Sequence, residues 1–197
     1  MEKRSSALIR FLTFGSRGLT TAWCLTALLV PAGFANASGP APDRATQQFE
    51  IRFMERTIDH HLMGVEMAEL CVEKVTAPPP ESDAQIRDLC SQIAAAQSAE
   101  AQQLQEWLQQ WYGITYEGQP RGTLQPLERL SGEEFDIAIS EEFIEHHAGQ
   151  IESSLECLQR AFHPDLLEIC NTQIAVQSAE ILAFRFILMD HGVLTLR

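Results

Sequence analysis

The sequence of 197 residues predicts an all-α fold, a four-helix bundle built from two tandem helical-hairpin repeats. Three observations predict it. The first is internal repetition. At an offset of 86, Phe49, Ile51, Glu55, Ile58, His60, His61, Glu66 and Cys71 fall on Phe135, Ile137, Glu141, Ile144, His146, His147, Glu152 and Cys157. At an offset of 80, Cys90 falls on Cys170 and Gln97-Ser98-Ala99-Glu100 on Gln177-Ser178-Ala179-Glu180. Self-similarity of this extent marks two copies of one supersecondary unit. The second observation is an apolar period of 3.6 residues within each copy. The third is punctuation by proline and glycine between the periodic stretches.

In chain order, residues 1–37 stand apart. Lys3, Arg4, Arg10 and Arg17 form a basic leader, Leu19 to Ala35 is an apolar run interrupted by Pro31, and Ala35-Asn36-Ala37 supplies small residues at the −3 and −1 positions of a cleavage site. This is the pattern of a cleaved secretory signal peptide. The run is shorter than the ~20 apolar residues a membrane span needs, and no later stretch is expected to span one. Residues 38–197 then make the bundle.

The first helix, about 45–76, gathers Phe49, Phe53, His60, Met67 and Cys71 on one arc and Glu55, Asp59, Glu66 and Glu73 on the other, an amphipathic pattern. Ala77-Pro78-Pro79-Pro80 cannot continue it, and Glu81-Ser82-Asp83 offers a cap for the next helix. In that helix, about 82–112, Ile86, Ile93, Glu100 and Trp107 recur every seven residues with Leu104 and Trp111 beside them, so Glu100 takes a seat that should be apolar. A linker of residues 113–131 follows, containing Gly118, Pro120, Gly122 and Pro126, and Ser131-Gly132-Glu133-Glu134 resembles a capping box. The second repeat, about 132–191, reads as helices over 132–162 and 165–191, divided by His163-Pro164-Asp165. There Glu180 repeats the intrusion, with Val176, Phe184 and Ile187 at −4, +4 and +7.

Charge excludes one large class of function. The whole chain carries 14 Lys+Arg against 27 Asp+Glu, a net −13. Loss of residues 1–37 removes four basic residues and Glu2, leaving a mature chain at −16. Such a surface repels a phosphate backbone, so no nucleic-acid partner is expected. Cleavage also removes Cys24 and leaves Cys71, Cys90, Cys157 and Cys170, an even set that permits disulfides in an exported protein. Pairing within each hairpin is the simplest of three connectivities.

The candidate functional residues are the polar ones that interrupt the apolar stripes. His61 stands ten residues before Cys71 and Glu100 ten after Cys90, while His147 and Glu180 have the same spacing from Cys157 and Cys170. If the cysteines of a pair are level, each His and Glu pair is level too, about 15 Å farther from the turn at 1.5 Å per residue. Met63 and Met67 follow His60 at i+3 and i+7. Imidazole suits copper, zinc and iron, and thioether sulfur favours Cu(I). The second repeat keeps His146 and His147 but has Gly149 and Ser153 where the first has Met63 and Met67. Against a metal site stands a simpler reading, in which Glu100 and Glu180 only satisfy buried histidines, Met63 and Met67 only pack, and Glu133-Glu134 and Glu141-Glu142 are a solvated face. His163 and His191 read as turn and helix-end residues.

The pattern Asp59-His60-His61-Leu62-Met63-Gly64-Val65-Glu66-Met67-Ala68, followed by Ala96-Gln97-Ser98-Ala99-Glu100 and Trp107-Leu108, resembles a ferritin-superfamily group of secreted bacterial proteins classed as a domain of unknown function with a His-His motif. The resemblance covers nearly all of the mature chain. It implies a ferritin-like four-helix bundle and, since some members are periplasmic copper proteins, a metal role for His60, His61, Met63 and Met67. Ferritin-like di-iron enzymes instead place Glu-x-x-His on two helices. Here Thr57, Phe143, Ile58 and Ile144 stand three residues before the histidines, so that motif is absent. The expectation is therefore a periplasmic or secreted, non-catalytic protein that binds a transition-metal ion, copper first, through His60, His61, His146 and His147 with help from Glu100, Glu180, Met63 and Met67. The alternative is a structural or protein-interaction domain whose His–Glu pairs fix helix register.

Overall fold

The computed structural model describes residues 39–75 and 81–194. The leader of residues 1–37 and the turn Ala77 to Pro80 lie outside them. Five helices are present among the described residues: α1 (Arg44–Lys74), α2 (Glu81–Tyr112), a short α3 (Gln125–Glu128), α4 (Glu133–Arg160) and α5 (Pro164–Asp190). Four are the long helices of two hairpins. The fifth, α3, lies in the linker, where Pro126 sets the backbone of its first turn.

Local chemistry explains the boundaries. The Asp43 carboxylate accepts from the backbone N–H of Ala45 and Thr46, both at 3.0 Å, and so caps α1. Pro164 opens α5 at a position whose N–H needs no partner. The expected capping box before α4 does not form: the N-cap is Gly132 at φ 57°, and no side chain caps the helix. The linker must reverse there through a left-handed residue. Glu133, Glu134 and Asp136 load the first turn instead, favourably placed against the helix dipole.

Each hairpin is closed by a disulfide near its turn, Cys71 to Cys90 with Cα atoms 6.2 Å apart and Cys157 to Cys170 at 6.3 Å. Most packing lies within the hairpins, α1 on α2 and α4 on α5, and the hairpins meet chiefly through α1 and α4. These two run antiparallel: Lys74, at the end of α1, stands 5.5 Å over the Phe135 ring near the start of α4, and Arg160, at the end of α4, stands 4.2 Å over Phe49 near the start of α1. The repeats are thus related by an approximate twofold axis between α1 and α4.

That arrangement gives two apolar cores, one at each end. Met67, Cys71, Ile86, Cys90, Ile93, Phe135, Phe143 and Phe184 form one. Phe49, Phe53, Met54, Ile58, Leu104, Leu108, Cys157 and Cys170 form the other. A waist of buried polar side chains separates them, including Thr57, His61, Gln97, His147, Gln150, Ser154, Gln173 and Gln177.

A second polar cluster ties the far end together. Fully buried Glu50 accepts from the backbone N–H of Phe162 (2.6 Å) and His163 (3.0 Å), from His163 Nδ1 (2.6 Å) and from the Tyr112 hydroxyl. His163 Nε2 donates to the Gly39 carbonyl at 2.9 Å, and Trp111 stacks on the ring at 3.8 Å. Burial and the Glu50 carboxylate hold the Tyr112 hydroxyl well above its usual pKa. His163 is a turn residue, and also the hub joining the N-terminal segment, α1, α2 and the second hairpin.

One expectation needs correction. Among the described residues α5 alone is long and apolar enough to cross a membrane by length and composition. Its hydropathy comes from two sources: an inner face of Leu166, Cys170, Phe184, Ile187 and Leu188, buried in the bundle, and exposed Leu182 and Phe186 outside.

Candidate metal centre

The four histidines meet at the approximate axis. His60 and His146, equivalent in the two repeats, stack with ring centroids 3.6 Å apart and planes 18° from parallel. His60 Nε2 donates to the His146 carbonyl oxygen at 3.0 Å. Burial, and then the charge that neighbouring His61 would add, lowers the His60 pKa to about 4. Burial and His60 lower that of His146 further still. Both rings are therefore neutral at pH 7, with lone pairs available.

The other two histidines point inward to the glutamates of the neighbouring helix. His61 Nε2 lies 2.8 Å from Glu100 Oε2, and His147 Nε2 lies 2.9 Å from Glu180 Oε2. Only the first pair is aligned as a hydrogen bond; the second is close in distance but off the hydrogen-bond direction. The Glu100 carboxylate holds the orientation of the His61 ring through Nε2.

The surroundings of the two pairs differ. Near His61, Gln173 Nε2 donates to Glu100 at 2.9 Å, while its oxygen accepts from Gln150 Nε2 (2.9 Å) and the Ser154 hydroxyl (2.8 Å). Gln150 also reaches Thr57 Oγ1 at 3.3 Å. The residues equivalent to Thr57, Gln150, Ser154 and Gln173 are Phe143, Gly64, Ala68 and Ile93. Phe143 and Phe184 accordingly stand 5.6 and 6.4 Å from the His147 ring. One half of the waist is a hydrogen-bonded polar network, and the other is packed with aromatic rings.

His60 and His146 also floor a surface cleft of about 300 Å³, whose walls include Met63, Met67, Glu142 and Glu145. Gly122, Thr123 and Leu124 of the linker line it as well. Tyr116 donates to Asp59 at 2.8 Å and Lys74 Nζ donates to the carbonyls of Glu128 (2.7 Å) and Leu130 (2.9 Å), anchoring the strap at both ends. Between them Gly122, at φ 147°, passes so close to Met63 that a Cβ would stand 3.1 Å from its sulfur.

The predicted ligands therefore fall into three groups. The structure brings His60, His146, Met63 and Met67 together at the cleft and sets His61 with Glu100 and His147 with Glu180 inside. Among the described residues, no three His, Cys, Asp or Glu side chains converge tightly enough to hold a metal ion. Sequence reasoning missed Gln150, Gln173, Thr57 and Ser154, which have no repeat signature, and it treated Glu142 as surface only. The Glu50–His163 link lay outside it because those residues are 113 positions apart.

The waist carries an excess of unmet bonding capacity. Nine buried side-chain nitrogen and oxygen atoms have no hydrogen-bond partner among the described residues, and eight are in this layer: His60 Nδ1, His61 Nδ1, His146 Nε2, both ring nitrogens of His147, both amide atoms of Gln97 and Gln177 Oε1. An unsatisfied buried polar group costs about 1–3 kcal/mol. Bare imidazole nitrogens beside thioether sulfur form a donor set that fits a soft or borderline cation.

Comparison with known proteins places the architecture. The sequence profile of the family described as Domain of unknown function (DUF305) matches residues 50–188. The structure is similar to CopM in its Cu(I)-bound form, with TM-score 0.63 and 22% identity over 72% of this chain and 96% of that one. CopM in an Ag-bound form is similar at the same TM-score and identity. A DUF305 fragment from Deinococcus radiodurans matches with TM-score 0.62 and 19% identity, over 77% of this chain and 99% of the fragment. No curated protein matches.

Proposed function

For this chain, which belongs to the DUF305 family, we propose the function of an exported protein that binds a transition-metal ion, copper before others, as cargo and without catalysis. The observation that carries the reading is the layer of partnerless buried nitrogen and amide atoms around the four histidines, opening through His60 and His146 to a cleft walled by Met63 and Met67. Neutral imidazole and thioether side chains are the donors Cu(I) accepts best. Similar folds have been captured with Cu(I), Cu(II) and Ag bound. Two disulfides suit an oxidising compartment, periplasmic or extracellular. Copper homeostasis is the role such binding would serve.

A division of labour among the histidines follows. His60 and His146, at the cleft floor, take the ion with Met63 and Met67. His61–Glu100 and His147–Glu180 act behind them, as partners that hold ring orientation. A purely structural role for the inner pairs is favoured by one observation, the aligned bond of His61 to Glu100 within the Gln173 network. Equilibrium dialysis of the mature protein against Cu(II), Zn(II) and Ag(I), the last standing for Cu(I), separates these readings. The expected result is retained copper and silver in the wild type, loss in His60→Ala/His146→Ala, and partial retention in Glu100→Gln. Equal stoichiometry in the wild type and the double histidine variant overturns the site.

A further inference from the structure

The approximate twofold axis supplies an internal control at one buried position. The side-chain nitrogen of Gln150 on α4 donates to three buried polar groups, Thr57, Ser154 and Gln173. Its equivalent on α1 is Gly64, which has no side chain, and Gly64 is itself buried. A Cβ placed on Gly64 would stand 2.0 Å from Gln97 Oε1 and 2.6 Å from His146 Nε2. Both atoms are buried and without a partner, and they do not bond each other. Gln97 is 4% exposed, and neither atom of its amide is used.

We propose that Gly64, Gln97 and His146 form a built subsite of the metal centre, in which the ion held by His146 Nε2 takes the Gln97 side-chain oxygen as a further ligand in the space that the missing side chain leaves. The inference rests on the metal-binding reading and adds to it a ligand, Gln97, and a residue that decides access, Gly64. An oxygen donor beside imidazole and thioether widens the range of ions the site accepts toward Cu(II), which sulfur alone would disfavour. Entry is through the cleft, since His146 lines both the cleft and the subsite. The mirror place is closed by Gln150, so one such subsite exists per chain. The three atoms nearest the Gly64 site all belong to side chains, those of Gln97 and His146.

The test pairs two identical substitutions. Gly64→Ala puts a methyl into the subsite, whereas Gly39→Ala, in the N-terminal segment outside the cleft with nothing within 4 Å, does not. A third variant, Gln97→Leu, removes the oxygen and fills the space with carbon. Affinity for Cu(II) and Ag(I) is measured by competition with a chromophoric chelator, and apo stability by urea denaturation. Gly39→Ala is expected to bind as the wild type does. Gly64→Ala and Gln97→Leu are expected to bind Cu(II) about 10-fold more weakly or worse, with the apo form of Gln97→Leu at least as stable as the wild type. Wild-type Cu(II) affinity in both variants overturns the subsite while leaving the metal reading intact, and marks the gap as a place for a bridging water only. Failure of the wild type to hold any of the ions overturns both.

Discussion

At the scale of single residues, burial decides what the polar side chains do. His60 is typical: its pKa is lower folded than unfolded because a charged ring is poorly solvated in the waist. A base of that kind binds its proton more readily in the unfolded chain, so protonation favours unfolding. Stability of the metal-free protein is therefore expected to fall as pH drops from about 6.5 toward 4 and to be flat above that window with respect to this group. Urea midpoints at a series of pH values check it, and His60→Gln should flatten the slope. Glu50 is buried too, and its side-chain oxygens accept from four donors. Glu50→Gln keeps the shape but turns an NH₂ toward those donors. Removing one partner of such a buried pair is expected to cost about 3 kcal/mol or more, read as a lower urea midpoint. His163→Gln should cost a comparable amount, and the double variant less than the two together.

At the scale of elements, the hairpins were the most legible feature of the sequence. Apolar period and proline punctuation bounded α1, α2, α4 and α5 to within two residues, because both report local backbone and burial constraints. The uncapped entry to α4 and the short α3 were not legible, since the linker's course depends on what it crosses: Asp59, Met63 and Lys74, all on α1. The ten-residue count from cysteine to histidine and glutamate gave axial height correctly for both pairs, as regular helix rise dictates. It carried no angle, so it could not tell which histidine of a pair faces a glutamate and which faces its twin. The disulfides are expected to act independently at opposite ends of the bundle. Replacing either pair with serine should cost about 3 kcal/mol by loss of loop constraint, slightly more for Cys71–Cys90, whose loop is longer.

At the scale of the molecule, duplication produces two cores and a seam. Each core packs the disulfide end of one hairpin against the open end of the other, and the seam collects the groups that neither core accepts. A bound ion should stabilise the whole fold, because it bridges α1 and α4 across the axis. With free Ag(I) at about 100 times its dissociation constant, mass action predicts about 2.7 kcal/mol of added stability. Thermal melts with and without Ag(I) check this, and the gain, taken against each protein's own apo melting temperature, should vanish in His60→Ala/His146→Ala.

The sequence by itself determined the helical class, the duplication, the level of each His–Glu pair and the residue types present at the seam, because all of these follow from spacing along a regular helix. Only the tertiary structure decided the rest. Stacking of His60 on His146 depends on the angle between hairpins, to which no local pattern is sensitive. The inequality of the two halves depends on which residues face each other across the axis, with Gln150 filling a space on one side that Gly64 leaves open on the other. Spacing within a helix is a property of the chain, whereas convergence of side chains from four helices is a property of their packing.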